Sequence, residues 1–104
     1  MLELNDSNFE QEVLKEEGLV MVDFWAVWCG PCRALAPVVE DVAKSYEGRL
    51  KVAKFDVDGN TDIPARYGVR NIPTLLFFKK GELVDKSTGS IMKTKLIDKV
   101  ESLL

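Results

Sequence analysis

The chain's two cysteines, Cys29 and Cys32, both fall within Trp28-Cys29-Gly30-Pro31-Cys32. Thiols at that spacing admit three chemistries. A structural disulfide would close a loop of about four residues, contributing about 2 kcal/mol in the chain-entropy account against about 3 for a 15-residue loop, and it would join nothing distant. A zinc site needs four ligands, and the sequence holds no histidine and no further cysteine, so only a dimer sharing two pairs could complete the tetrahedron. Reversible dithiol–disulfide exchange fits best. A C-x-x-C pair that follows a strand and opens a helix is a redox arrangement. Cys29 then sits just ahead of the first helical turn, where free N–H groups and the macrodipole favour an anion and so promote the thiolate, the attacking species. Cys32, one turn on, is placed to resolve a mixed disulfide and is expected to be the less exposed sulfur. Gly30 and Pro31 carry no charge, whereas an imidazolium between the cysteines would stabilise the thiolate and make a stronger oxidant. The expected poise is reducing.

Other residues bear on that pair. Asp23 stands inside the apolar run Val20–Val27. Buried there, its pKa would rise and it would be a candidate acid/base for Cys32, directly or through one water; at a solvated strand margin it would be an ordinary carboxylate. Lys54 lies between Ala53 and Phe55, a pattern that favours a surface lysine whose stem covers apolar atoms. Pro73 opens a strand, where proline reads as an edge residue with a trans bond in all but about 5–6% of cases. Trp28, Gly30, Pro31, Ile72 and Gly89, each taken alone, read as packing or turn residues. Trp25 is assigned to the core.

The secondary structure that holds these groups can be read from the pattern. Leu2 and Leu4 alternate with polar residues as a short edge strand would. Ser7 and Glu10 have capping-box spacing ahead of Phe9, Val13 and Leu14, predicting a helix that Gly18 ends. Val20–Val27 is apolar on both faces, as a central strand covered by helices on both sides would be. Pro31 suits a first helical turn, Leu35, Val38, Val39, Val42 and Tyr46 recur at helical spacing, and Gly48 is the expected stop. Pro37 lies inside that helix and should kink it. Leu50–Val57 reads as a second strand, which makes a βαβ unit with parallel pairing. Thr61–Tyr67 is a short irregular helix. Thr74–Phe78 and Leu83–Ser87 are joined through Lys79-Lys80-Gly81-Glu82, so short a connection that only an antiparallel hairpin is possible. Leu96, Val100, Leu103 and Leu104 mark a closing amphipathic helix.

The 104 residues fit one domain, 1–104, with no repeats or linkers. A hydrophobic fraction of 46% and a charged fraction of 30% are those of an ordinary soluble globular protein. A formal net charge of −3, with no basic run longer than Lys79-Lys80, argues against a nucleic-acid partner. The start of the chain has neither a basic region nor a long apolar stretch, and no run approaches the ~18 apolar residues that span a bilayer. The expectation is a cytoplasmic, monomeric protein with no membrane partner.

Val22-Asp23-Phe24-Trp25-Ala26 leading into Trp28-Cys29-Gly30-Pro31-Cys32, with Ile72-Pro73-Thr74 later, resembles the thioredoxin family nearly end to end. The resemblance implies an α/β thioredoxin fold: one mixed central sheet, a parallel βαβ part plus an antiparallel hairpin, flanked by helices on both faces. It implies a thiol–disulfide oxidoreductase that reduces disulfides in target proteins and is recharged by a thioredoxin reductase, with no cofactor beyond a reversible Cys29–Cys32 disulfide. It places Asp23 under the cysteines, brings Lys54 toward Asp23, makes the Ile72–Pro73 bond cis, and gathers Trp28, Gly30, Pro31, Ile72, Pro73 and Gly89 into an apolar docking surface. Two departures stand out: Arg33 follows Cys32 where lysine is common, and Thr88 and Ser90 put hydroxyls around Gly89 where small apolar residues are common. They bear on target preference. Two rivals share the scaffold. One is an oxidase or isomerase, disfavoured by the uncharged Gly30-Pro31; the other is a binding module with dispensable redox activity, disfavoured by the presence of both cysteines.

Overall fold

A computed structural model describes residues 1–104. Its frame is a five-stranded sheet in the order β1-β3-β2-β4-β5, made of β1 (Leu2–Leu4), β2 (Leu19–Trp25), β3 (Leu50–Asp56), β4 (Thr74–Lys79) and β5 (Glu82–Thr88). β3 runs parallel to both β1 and β2, whereas β4 is antiparallel to β2 and to β5. The mixed sheet is therefore the expected one, and its parallel pair is joined by α1 (Gly30–Ser45).

Two further helices, α2 (Asp62–Arg66) and α3 (Lys93–Leu103), and a π-helical turn at Glu10–Leu14 complete the layers. Successive β2 side chains point to opposite faces, and both faces are dry. Val20, Val22 and Phe24 pack with Phe9 and Val13 of the N-terminal turn and with Ile63 of α2. Leu19 and Met21 pack with Leu35, Val39 and Val42 of α1 and with Leu96 and Val100 of α3. The C-terminal ends of β2 and β3, side by side because the strands are parallel, emerge at one edge of this sandwich. The cysteines sit there.

Local departures from the sequence pattern have identifiable causes. The Ser7–Glu10 capping box does not form, because the Asn5 side-chain oxygen accepts the N–H groups of Ser7 and Asn8 at 2.8 and 2.9 Å. In its place a single π-helical turn ends at Leu14, well before Gly18, with Lys15 N–H bonded to the Glu10 carbonyl. β2 stops at Trp25 instead of Val27: its last rung is Val57 N–H to the Trp25 carbonyl, after which Cys29 N–H turns back to the Ala26 carbonyl. α1 ends at Ser45, and the Tyr46 carbonyl then accepts both Arg49 and Leu50 N–H at 2.9 Å while Gly48 takes φ +87°. The hairpin turn Lys80-Gly81 has φ of +53° and +80°. Gly81 is doubly required, since a Cβ there would also lie 2.7 Å from the Leu14 carbonyl oxygen.

Candidate active site

Cys29 is the N-cap of α1, with extended backbone (φ −89°, ψ 107°), and its Sγ accepts the Cys32 N–H at 3.2 Å. The helix begins here because Gly30 and Pro31 fill its first turn, and Pro31 has no N–H to leave unpaired. A sulfur thus occupies the place where a Ser or Asp oxygen would cap a helix, facing the positive end of a 16-residue dipole. Cys29 and Cys32 are joined as a disulfide with Cα atoms 5.3 Å apart. Both are buried, at 5% and 2% exposure, so the expected difference in access is small. Ala26 lies among them, with Trp25, Val57 and Ile72 packed around.

The loop before β4 closes over this cluster. The Ile72–Pro73 bond is cis, and the Ile72 carbonyl oxygen lies 3.9 Å from Cys29 Sγ. Thr74 Oγ1 donates to the Asn71 carbonyl at 2.6 Å, and Gly89 N–H donates to the Pro73 carbonyl at 2.8 Å. Gly89, at φ +86°, is thereby brought beside Pro73 although it lies beyond β5. Gly30 and Pro31, between the cysteines in sequence, are exposed, and Trp28 is 67% exposed. No surface cavity is lined by either cysteine. Chemistry at such a shallow site suits a disulfide carried on another macromolecule better than an enclosed small molecule.

Two features are absent from the sequence pattern. The Trp28 indole N–H is held by both carboxylate oxygens of Asp58, at 3.1 and 3.2 Å, and Asp58 N–H is held in turn by Asp56 Oδ1 at 2.9 Å. The available signal was topological: parallel β2 and β3 must end together, so the loop after β3 adjoins the loop after β2. Val27 is the second, 61% exposed next to Trp28 and enlarging the apolar rim. Arg33 donates to the Val27 carbonyl at 2.8 Å, tying the first turn of α1 to the loop that precedes Cys29.

Asp23, two residues before Trp25 in β2, is 1% exposed and neither carboxylate oxygen has a hydrogen-bond partner. Burial pushes its pKa up to about 6, against the partial pull of the Lys54 charge. Lys54 stands directly opposite Asp23 in the β2–β3 register. Its ammonium, however, lies over the ring of Trp25, 4.2 Å from the centroid. Trp25, expected in the core from the sequence, is half-buried, because it sits at the strand end where one side of the ring faces that lysine. No three His, Cys, Asp or Glu side chains are grouped as a metal site.

The arrangement is a helix-capping sulfur, a second sulfur bonded to it, a proton-binding carboxylate on the sheet face under the same helix, and an exposed aromatic rim. Comparison with known proteins points the same way. The family model Thioredoxin matches residues 1–102. A thioredoxin of Pseudomonas aeruginosa is 49% identical over 96 residues, covering 92% of this chain and 89% of that protein. Thioredoxin 1 of a Nostoc species is 49% identical over 102 residues, 98% and 95% of the two chains. A thioredoxin of Acidithiobacillus ferridurans is 46% identical over 104 residues, 100% and 96% of the two.

Proposed function

The chain belongs to the thioredoxin family and is a thiol–disulfide oxidoreductase with protein-disulfide reductase activity, and we propose that Cys29 is its attacking sulfur. The single observation that carries this assignment is the N-cap: a sulfur that already accepts the Cys32 N–H at the start of α1 is stabilised further when it bears a negative charge.

In the reduced protein the Cys29 thiolate attacks one sulfur of a target disulfide. One target sulfur leaves as a thiolate, and a mixed disulfide with Cys29 forms. Asp23 takes the proton of the Cys32 thiol, directly or through a water. The Cys32 sulfur then attacks Cys29, the mixed disulfide breaks, and the second target sulfur leaves. Two electrons have passed to the target, the proton taken from Cys32 passes from Asp23 to one departing target sulfur, the other target thiolate is protonated by solvent, and the Cys29–Cys32 disulfide remains. The exposed Trp28, steadied by Asp58, and Gly30, Pro31, Ile72, Pro73 and Gly89 form the docking surface, with target backbone laid against Ile72 as a short strand. The uncharged Gly30-Pro31 pair favours a reducing poise.

Family membership implies disulfide-bearing proteins and a thioredoxin reductase as partners. The electrons reside in the cysteine pair, so the cycle needs no bound cofactor. We read the protein as acting as a monomer, and a dithiol that must be kept reduced suits the cytoplasm. Turnover of insulin disulfides tests the reading. Cys29→Ser abolishes reduction, and Cys32→Ser accumulates a mixed disulfide through Cys29; a Cys32→Ser protein that traps nothing while Cys29→Ser does would reverse the assignment.

A further inference from the structure

The ammonium of Lys54 takes part in none of the molecule's ion pairs. It lies instead 4.2 Å from the centroid of the Trp25 ring. Yet the β2–β3 register sets Lys54 beside Asp23, whose two buried oxygens accept no hydrogen bond. A buried, unpartnered carboxylate is the strongest attraction available to a neighbouring ammonium, and a four-carbon stem can swing between the two positions. The aromatic face, itself attractive to a cation, holds it in one of them. Trp25 can do so because it stands two residues after Asp23 and so projects from the same side of the sheet.

We propose that Trp25 is a positioning residue whose ring holds the Lys54 ammonium back from the Asp23 carboxylate, leaving Asp23 free to take the Cys32 proton. The proposal rests on the reading of Asp23 as that proton acceptor. In contact with Lys54, the carboxylate would be satisfied as an ion pair and would be a poor base. With no lysine near, burial alone would keep it protonated to higher pH and unable to accept. The lysine held at the ring gives the intermediate condition. Of the charged groups around Asp23, Lys54 is the one whose field reaches it. Asp56 lies further along the same face of β3 but is occupied with the Asp58 N–H, β4 presents Leu75, and the buried α1 residues Leu35, Val39 and Val42 on that side of the sheet carry no charge.

The test is a carboxyl carbon NMR titration of Asp23 in the full-length reduced protein, compared across Trp25→Leu, Lys54→Met and the double variant. Trp25→Leu should lower the Asp23 midpoint by about one pH unit as the ammonium closes on the carboxylate. Lys54→Met should raise it, and the double variant should match Lys54→Met alone. An unchanged midpoint in Trp25→Leu, or an equal drop on the Lys54→Met background, would overturn the proposal, the latter by showing that water entry and not the lysine is responsible. Trp25→Met serves if the leucine variant does not fold. In single-turnover release of a target from the mixed disulfide, Trp25→Leu should slow release several-fold at pH 7 and move the acid limb of the profile to lower pH. If Asp23→Asn leaves that release rate unchanged, the proton-acceptor reading fails while the titrations still report on Trp25 and Lys54.

Discussion

An ionised carboxylate without a hydrogen-bond partner is costly inside an apolar layer, and Asp23 is held in that position between β2 neighbours that are wholly buried. Its pKa is about 6 in the folded chain against an ordinary value of 3.8. The folded state therefore binds the extra proton between those values, and stability falls as pH rises: the favourable contribution is complete below about pH 4 and is lost above about pH 6. Two pH units correspond to about 3 kcal/mol. Asp23→Asn should accordingly raise stability in urea unfolding by about 3 kcal/mol at pH 7 and leave it nearly unchanged at pH 4. An equal gain at both pH values would mean that packing, not charge, sets the effect. The same replacement should slow release of the target, the expected exchange of stability for function at a strained site. The sequence displayed Asp23 because it broke an apolar run. It could not display the ring over Lys54, since two residues from different strands meet there only through the sheet register.

At the scale of elements, what was legible is what local pattern or short connection fixes. The hairpin β4–β5 came from a connection too short for anything else, and the parallel β2–β3 pair came from a crossover long enough to hold a helix. The ends of the N-terminal turn and of α1 were not legible, because they are settled by competition between side chains and backbone: Asn5 displaces Ser7 as the local acceptor, and the Tyr46 carbonyl closes α1 ahead of Gly48. Asp58 was illegible for a third reason. Its partner Trp28 is distant in sequence and adjacent only because parallel strands end together. One element carries an evident weakness. The N-cap of α3 is Met92, whose backbone has the extended N-cap geometry (φ −72°, ψ 146°) but whose side chain makes no capping bond and which is 74% exposed. Met92→Ser should supply the missing acceptor and stabilise the protein by about 1 kcal/mol, raising Tm by about 5 °C. No change in Tm would show that the α3 N-terminus is already satisfied.

The whole molecule is a sheet whose central strands β2 and β4 are buried on both faces, with one edge where the parallel strands and the start of α1 converge. Net charge is only −3, so long-range steering is modest, in keeping with the docking proposed above for the apolar rim around Trp28. The poise of the Cys29–Cys32 couple belongs to this scale, since it compares two states of the entire fold. Equilibrated against glutathione, the couple should remain largely reduced only in a strongly reducing mixture, as befits a donor; a midpoint as oxidising as that of disulfide-forming relatives would return the oxidase reading to first place. Donor chemistry depends above all on the fold placing a sulfur at the positive end of α1, where its negative charge is stabilised. Alkylation of the reduced protein at pH 7, followed at each cysteine by mass spectrometry, measures that stabilisation. Cys29 should react several-fold faster than a free-peptide thiol and Cys32 should lag behind it; a Cys29 rate no greater than that of the peptide would refute the placement of the thiolate.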